Sequence, residues 1–316
     1  MKLPAKAESV ANYEFHSTFV VPPAPTMSLS LHPDLTLGYV HLTVSNLERS
    51  LSFYQNSLGF KMRRDDSTAG TAWLGAGGPD LLVLTELPGA KHSRGTTGLY
   101  HFAILTPSRL ELAHSLKRIA ETRTPVEGFA DHHVSEAIYL PDPDGNGIEI
   151  YRDRPRADWR DAQGNFRMGT DPLDIDGVLS ELDGRDDERS ERSEWSGLDP
   201  ATTLGHMHLH VRSIPEAKAF YCDVLGFDLL MNIGSALFVS AGGYHHHIGL
   251  NTWQGVGAPP PPPGSAGLRY FTVRLPDQAE LDKVPDRVRA AGVLVEEHAQ
   301  GWLVRDPSLN AMVLAI

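Results

Sequence analysis

The sequence predicts an α+β fold built from four βαβββ units, and two observations predict it. Residues 37–60 recur at 204–227 with ten of 24 positions identical and no gap, so the chain contains a duplication. Each half then starts a second unit with a similar strand, at Gly98 in the first half and at Gly267 in the second. We expect the two units of each half to pair with each other, which gives two cupped, barrel-like domains.

The first unit shows the pattern most clearly. Its opening strand, LTLGYVHLTV, places Tyr39 and His41 on one face and valine and leucine side chains on the other. The helix that follows has apolar residues at helical spacing between a polar cap, Ser45 or Asn46, and a stop at Gly59. Three short strands are then predicted, near 61–65, 71–75 and 80–86.

Composition sets the domain boundaries that we expect. Residues 1–35 are aperiodic and form an N-terminal arm, residues 36–152 form the first domain and residues 204–316 the second. Residues 153–203 contain the mixed-charge run RDDERSERSE and are predicted to be a solvated linker. Five prolines, Pro259–Pro263, form a stiff connector between units three and four.

Charge and cysteine content exclude several classes of partner. A net charge of −12 argues against nucleic acid, because phosphate binding needs a basic face. No segment approaches the roughly 20 apolar residues of a membrane span, so we expect no membrane partner. A single cysteine, Cys222, argues against internal disulfides and favours a reducing compartment, the cytoplasm, with Cys222 itself a buried and inert thiol.

Metal-ligand chemistry is concentrated in the first half. His41 lies in the opening strand of unit one, His101 in the opening strand of unit two and Glu149 in the last strand of unit two. Two imidazoles and one carboxylate can hold a divalent metal on one side and leave open positions for substrate. Equivalent places in repeated units make His41, His101 and Glu149 a candidate metal site.

The second half lacks two of these three residues. His208 aligns with His41, but Tyr270 stands where His101 stood and Val313 stands where Glu149 stood. We therefore expect a catalytically silent half. The histidine cluster at 245–247 leaves one alternative open, a second metal site made by His208, His246 and His247.

The motif DPDGNG, residues 142–147, is predicted to be a tight hairpin turn that sets Glu149 in register. A calcium loop is disfavoured, because an apolar strand follows directly where that loop needs a helix. Asn146 and Gly147 are expected to supply the left-handed backbone positions of the turn.

The strings HHVSEAIYLPDPDGNGIEIY and SAGGYHHHIGLNTW, with the strands LGYVHLTV and GLYHFAIL, resemble the vicinal oxygen chelate superfamily. More narrowly, they are similar to Bacillus-type catechol 2,3-dioxygenases. The resemblance implies paired βαβββ modules cupped around a metal, the vicinal oxygen chelate fold. It also implies Fe(II)-dependent extradiol cleavage of a small aromatic diol by dioxygen to a semialdehyde acid, with Mn(II) as the alternative metal. Whether the chain forms a homo-oligomer is left open.

The resemblance also implies roles for individual residues. His41, His101 and Glu149 match the ligand positions, and His132 and Tyr139 match a histidine and a tyrosine that assist the reaction. His133 is an alternative to His132, because a shift of one residue along a strand reverses the face. The proton donor stays open among His92, His132 and His133.

Three other functions are compatible with the same motifs. A glyoxalase-type, non-oxidative metal enzyme would use a second carboxylate, for which unit one offers only Glu86. A non-catalytic small-molecule-binding protein would not need a complete set of ligands. A dioxygenase that cleaves hydroquinones rather than catechols differs only in the shape of its pocket.

Overall fold

The computed structural model describes residues 30–66, 68–183 and 195–316. The mixed-charge run and most of the predicted N-terminal arm lie outside these ranges. The described residues form sixteen strands in four successive groups of four, which confirms the predicted α+β class and its four βαβββ units. In chain order the strands are β1 Thr36–Val44, β2 Lys61–Asp66, β3 Thr71–Gly75, β4 Asp80–Glu86, β5 Gly98–Leu105, β6 Gly128–Asp131, β7 Ser135–Pro141, β8 Gly147–Asp153, β9 Thr203–His210, β10 Asp228–Asn232, β11 Ala236–Ser240, β12 Ile248–Asn251, β13 Gly267–Arg274, β14 Val295–His298, β15 Gly301–Arg305 and β16 Ala311–Ala315.

One helix follows the opening strand of each unit. Each begins at a polar cap whose side chain accepts a hydrogen bond from the backbone N–H three residues on; the caps are Asn46, Ser108, Ser213 and Asp277. The α-helices are α1 Leu47–Ser52, α2 Arg109–Glu121, α3 Ile175–Leu179, α4 Ile214–Lys218 and α5 Gln278–Ala290, and α1 and α4 continue as π-helical turns over Phe53–Ser57 and Ala219–Val224. Within the described ranges, no helix is long and apolar enough to cross a membrane.

The four units pair across the two halves of the chain, so the expected pairing within each half is wrong. Sheet one has the order β14-β15-β16-β13-β1-β4-β3-β2 and joins units one and four; sheet two has the order β10-β11-β12-β9-β5-β8-β7-β6 and joins units two and three. The contacts between units are antiparallel, β1 with β13 and β5 with β9. All four opening strands alternate alike, so their pattern does not specify which of them become neighbours.

One face of each sheet is buried in a shared hydrophobic core. Leu42 and Phe271 of sheet one and Phe102 and Met207 of sheet two belong to the same contiguous cluster. Because side chains alternate along a strand, the residues between them lie on the opposite face. These opposite faces carry the polar and aromatic residues from which the site is built.

The predicted linker is not simply solvated. Within residues 153–203, α3 contributes Val178 to the shared core, and Leu198 joins the same core just before β9. Trp159 is also buried, at 3% exposure, against Tyr244 of unit three. The described parts of this segment therefore pack on the sheets that they connect.

The turn that precedes β8 is a hairpin, as predicted, but its backbone differs from the expectation. The left-handed residue is Gly145, at φ +88°, and neither Asn146 nor Gly147 has a positive φ. Asp142 closes the turn by accepting hydrogen bonds from the backbone N–H groups of Asp144 and Asn146, both at 2.8 Å. Glycine is needed at 147 because a Cβ there would lie 2.0 Å from the carbonyl oxygen of Tyr100.

Candidate metal centre

Three buried side chains from three neighbouring strands of sheet two converge: His101 on β5, Glu149 on β8 and His206 on β9. The registers place both Glu149 and His206 beside Ala103 of β5. Residues paired across neighbouring strands point to the same face, so the small side chain of Ala103 leaves the space into which both reach. His101 lies two residues earlier on that face.

The three donor atoms form a compact triangle. His101 Nε2 lies 3.0 Å from Glu149 Oε2, His206 Nε2 lies 2.9 Å from the same oxygen, and the two Nε2 atoms are 3.3 Å apart. Metal–nitrogen and metal–oxygen bonds of about 2.1 Å at right angles would put neighbouring donors about 3 Å apart. The triangle therefore fits three adjacent coordination positions of one divalent ion, with the remaining positions open.

Electrostatics favour the ligating forms of these groups. Burial alone would raise the pKa of Glu149, but the charges and hydrogen bonds of His206 and His101 outweigh it and hold that pKa well below its usual range. Burial lowers the pKa of His206, and Glu149 only partly opposes the shift. A carboxylate and neutral imidazoles are the forms that bind a cation.

His41 is not part of this group, so the expectation that it lies beside His101 and Glu149 is wrong. It belongs to β1 in sheet one, where it is in register with Tyr270 and its Nε2 lies 2.8 Å from Thr85 Oγ1. The error followed from assuming that units one and two share a sheet.

His206 occupies the third position, and sequence reasoning missed it. The duplication aligns His208 with His41, and the prediction used this shared histidine. The residue that could have been noticed lies two positions earlier, where the copies differ: Tyr39 of unit one aligns with His206 of unit three.

Tyr139 and His132 lie beside the group as a hydrogen-bonded pair. Tyr139 is directly opposite Glu149 in the β7–β8 pairing, and its hydroxyl lies 2.7 Å from His132 Nε2. His132 Nδ1 lies 2.8 Å from the carbonyl oxygen of Gly169. A carbonyl only accepts, so Nδ1 carries the proton, and in a neutral ring Nε2 accepts from the Tyr139 hydroxyl. Burial, and then the charge of Glu149, raise the pKa of Tyr139 well above its usual range.

His133 and His92, the other candidates for a proton donor, lie apart from the group. His133 has a left-handed backbone, φ +65°, and its Nε2 is 2.7 Å from Asp171 Oδ2 in a half-exposed ion pair. The backbone of His92 pairs with that of Ala266 in an isolated β-bridge. His92 also lines a separate cavity of about 220 Å³ between the segments that precede β5 and β13. Of the three candidates, only His132 hydrogen-bonds to a residue next to the metal ligands.

A hydrogen-bonded chain of one aspartate and two histidines, Asp153, His245 and His246, ends beside His206. His245 Nε2 lies 2.8 Å from Asp153 Oδ1, and its Nδ1 lies 2.9 Å from His246 Nδ1. Because a carboxylate only accepts, His245 donates from Nε2, and in the neutral pair its Nδ1 accepts the Nδ1–H of His246. His246 therefore has its lone pair on Nε2, in a ring whose centroid is 4.1 Å from that of His206. Burial, with His206 and His245 nearby, lowers the pKa of His246 well below its usual range.

The alternative second site of His208, His246 and His247 is not assembled. His247 Nδ1 accepts the backbone N–H of Ala241 at 3.2 Å and lies 2.9 Å from Ser240 Oγ, so it is engaged elsewhere. Among the described residues, the group of three close metal-binding donors is His101, Glu149 and His206. His246 and His208 instead flank that one group.

Aromatic rings lie beside the centre around His208, and sequence reasoning did not identify Tyr100, Phe238 or Trp253. The ring of His208 lies 5.0 Å from Tyr100, 5.4 Å from Trp253 and 5.7 Å from Phe238, measured between centroids. Tyr100 is 38% exposed and Trp253 51%, so both can contact a flat apolar ligand. We call this surface, Tyr100, His208, Phe238 and Trp253, the aromatic wall.

Sequence comparison matches the chain to one family model and to relatives with different names. The family model described as the Glyoxalase/Bleomycin resistance protein/Dioxygenase superfamily matches residues 36–150 and 203–305. Catechol-2,3-dioxygenase of Bacillus subtilis (strain 168) is 51% identical over 290 residues, which cover 90% of this chain and 98% of that protein. A lactoylglutathione lyase of Neisseria meningitidis serogroup A is 31% identical over 126 residues, which cover 37% of this chain and 89% of that enzyme.

Solved structures share the fold at low sequence identity. A crystal structure from Bacillus subtilis subsp. subtilis str. 168 aligns with a TM-score of 0.58 at 14% identity, over 91% of this chain and 85% of that one. Glyoxalase I from Zea mays aligns with a TM-score of 0.51 at 14% identity, over 89% of this chain and 92% of that one.

Proposed function

This chain belongs to the glyoxalase/bleomycin resistance protein/dioxygenase superfamily, and from that premise we propose that it is an Fe(II)-dependent extradiol dioxygenase. Its substrates are a catecholic ring and dioxygen, and its product is the ring-opened semialdehyde acid. The observation that carries the proposal is the convergence of His101, Glu149 and His206 on one point. The family membership itself confirms the resemblance drawn from the sequence.

The three residues fit the metal that this reaction needs. Two neutral imidazoles and one carboxylate, all on one side, are the donor set of non-haem Fe(II) oxygenases. His101, Glu149 and His206 would hold the ion; Fe(II) is proposed, with Mn(II) as the alternative. When bound, the metal supplies binding of the diol and the electron chemistry by which dioxygen reacts.

His246 is placed to accept a hydrogen bond from the bound diol. Its Nε2 carries a lone pair beside His206, since the hydrogen bonds through His245 to Asp153 fix the proton on Nδ1. An acceptor held in this place can orient a phenolic hydroxyl of the diol.

Tyr139 and the aromatic wall position the ring. The Tyr139 hydroxyl donates its hydrogen bond to His132, so the lone pairs of its oxygen can accept a hydrogen bond from the substrate. Tyr100 and Trp253 offer partly exposed rings for apolar contact with an aromatic substrate. Placement of the reactants in one geometry is the main contribution of these side chains.

The test is reconstitution without air. The protein is purified anaerobically, loaded with Fe(II) and mixed with catechol and oxygen, and we expect oxygen uptake and a yellow ring-opened product. Parallel reactions with hydroquinone, with Mn(II), and with a hemithioacetal under nitrogen examine the other substrates, the other metal and glyoxalase-type chemistry. Turnover of the hemithioacetal without oxygen uptake on catechol would overturn the proposal.

Matched histidine variants test the position of the centre. His206→Ala and Glu149→Gln are expected to lower iron content at least tenfold, as is His101→Ala, because each removes one of three ligands. His41→Ala is expected to retain iron, since His41 lies in the other sheet. Iron lost from His41→Ala but retained by His206→Ala would move the site and contradict the assignment.

The proposed compartment is a reducing one, the cytoplasm. Cys222 is unpaired and half-buried, and burial raises the pKa of its thiol to about 11, so the reactive thiolate is disfavoured.

A further inference from the structure

Sheet one carries a second copy of the metal centre in which every ligand is replaced. The duplication aligns unit one with unit three and unit two with unit four. The positions of His206, His101 and Glu149 accordingly correspond to Tyr39, Tyr270 and Val313. We call Tyr39, His41, Thr85, Tyr270 and Val313 the twin site.

The strand registers of the two sites agree. His41 is paired with Tyr270 in sheet one as His208 is paired with His101 in sheet two. The two aligned tyrosines also meet: Tyr39 Oη lies 3.1 Å from Tyr270 Oη, where the corresponding nitrogens of His206 and His101 are 3.3 Å apart. The geometry of the centre has thus been kept without its ligands.

Val313 stands at the position of the carboxylate ligand, so the twin site has no anionic donor for a metal ion. It is fully buried and pairs with Thr272, just as Glu149 pairs with Ala103. Burial, followed by the hydrogen bond with Tyr270, raises the pKa of Tyr39 above its usual range, so its hydroxyl stays protonated. Two phenols and an aliphatic side chain do not bind a divalent cation.

The twin site contains a buried hydrogen-bond acceptor, His41 Nδ1, that has no donor among the described residues. Thr71 Oγ1 donates to the carbonyl oxygen of Ala69, and Thr85 Oγ1, 2.8 Å away, therefore donates to Thr71. Thr85 must then accept from His41 Nε2–H, which lies 2.8 Å from it. This chain leaves the lone pair of His41 on Nδ1, an atom that is buried and has no hydrogen-bond partner.

Aromatic and apolar side chains lie in a row on either side of that acceptor. Across β3, β4, β1 and β13, the residues in register are Trp73, Val83, His41 and Tyr270. Trp73 and Tyr270 are only half-buried, whereas His41 is 9% exposed. The row therefore offers partly exposed rings at its ends and one buried acceptor at its centre. The guanidinium carbon of Arg64 lies 3.8 Å from the centroid of the Trp73 ring, so one face of that ring is already covered.

We propose that the twin site binds a small phenol without a metal. The hydroxyl of the ligand donates to His41 Nδ1, and its ring packs against Val83, Trp73 and Tyr270. A neutral imidazole acceptor selects a hydroxyl over a carboxylate, which has no proton to donate. The ring surfaces select an aromatic molecule over a simple alcohol. This site is separate from the metal centre and does not depend on the proposed oxygenase activity.

The experiment uses the whole chain, freed of metal with a chelator, and phenol as the probe. Phenol has one hydroxyl and cannot chelate a metal, but its ring can also contact the aromatic wall. Isothermal titration is therefore expected to show saturable binding, and the component that His41→Phe removes reports the twin site. The affinity of that component should fall at least tenfold in His41→Phe and stay within about twofold in His133→Phe, the same exchange at a half-exposed histidine outside both sites.

A probe without the donor makes the test independent of any variant. Anisole has the same ring but no hydroxyl proton, so it is expected to bind the unaltered protein at least fivefold more weakly than phenol. Equal affinities for phenol and anisole would overturn the assignment of His41, as would phenol binding that is unchanged in His41→Phe. Absence of saturable phenol binding would overturn the site itself, whereas a failure of iron loading or oxygen uptake would bear only on the proposed oxygenase.

Discussion

Side chains around the metal centre are held in defined protonation states by their neighbours. Glu149 is kept ionised by two imidazoles, and Tyr139 is kept protonated by burial and by Glu149. His246 has its proton fixed on Nδ1 by His245. Each residue is thus prepared for one task, ligation or hydrogen bonding, before any substrate arrives.

Asp153→Asn tests the hydrogen-bonded chain that links Asp153 through His245 to His246. An amide can donate as well as accept, so the proton on His245 is no longer fixed to Nε2, and the tautomer of His246 is released with it. We expect kcat to fall about 10–100-fold, a range typical of groups that orient residues at a metal. Iron content, measured on the same preparation, should not change, because Asp153 does not contact the ligand atoms.

The matched control for that variant is Asp171→Asn. Asp171 Oδ2 accepts a hydrogen bond of similar length, 2.7 Å, from His133 Nε2, but this pair lies away from the metal centre. We expect unchanged kcat in this variant. Equal losses in both variants, or loss of iron from Asp153→Asn, would contradict this role of Asp153.

His41 predicts a pH dependence of stability. Burial, with Arg269 and His298 nearby, lowers its pKa to about 3 in the folded chain, against about 6.5 when unfolded. Between these values the unfolded chain binds a proton that the folded chain does not, so the free energy of unfolding falls as pH falls, by about 1.4 kcal/mol per pH unit. Denaturant titrations between pH 6.5 and 4 give the free energy of unfolding at each pH. Its slope against pH should be shallower by about this amount in His41→Gln than in the parent, and an unchanged slope would disprove the lowered pKa.

The sequence predicts single residues well where a motif fixes their strand register. His101 and Glu149 were predicted correctly as neighbours, because both belong to unit two and the turn between β7 and β8 sets their relation. His206 was not, because it reaches the site from another unit, and no local pattern reports contacts between strands 100 residues apart.

At the level of elements, the turn before β8 aligns the metal ligands. Gly147 starts β8 and pairs with His101, so the approach of these two strands fixes where Glu149 lies two residues later. The close contact with the Tyr100 carbonyl leaves no room for a side chain at 147. Gly145 serves a different purpose, the left-handed position of the turn.

Two glycine variants separate these roles. Gly147→Ala is expected to push β8 away from β5 and lower metal affinity at least tenfold, since its Cβ would meet backbone at 2.0 Å. Gly145→Ala is expected to retain the metal and lose only about 1 kcal/mol of stability, the cost of a left-handed alanine. Metal titration and thermal unfolding of both variants check this; a greater loss of metal affinity in Gly145→Ala would contradict it.

At the level of the whole molecule, one duplicated chain has produced one candidate metal centre and one copy without its three donor residues. The four units were predictable because each has its own alternating strands and capped helix. Their partners were not, because β1, β5, β9 and β13 present similar apolar faces to a common core. Since units two and three build the centre together, neither half of the chain contains it alone.

The duplication of the chain and the matching strand registers predict that the three donor residues can be restored in sheet one. Tyr39→His, Tyr270→His and Val313→Glu together restore two imidazoles and a carboxylate at positions whose strand registers match those of His206, His101 and Glu149. We expect the bound metal, measured by elemental analysis, to rise from one to two ions per chain. A buried carboxylate without a cation is costly, so a chelator should destabilise this variant by several kcal/mol more than the parent. The matched control has Phe, Phe and Leu at the same three positions, and we expect it to bind one metal ion per chain. If the variant with His, His and Glu also binds only one ion per chain, the two sites are not equivalent.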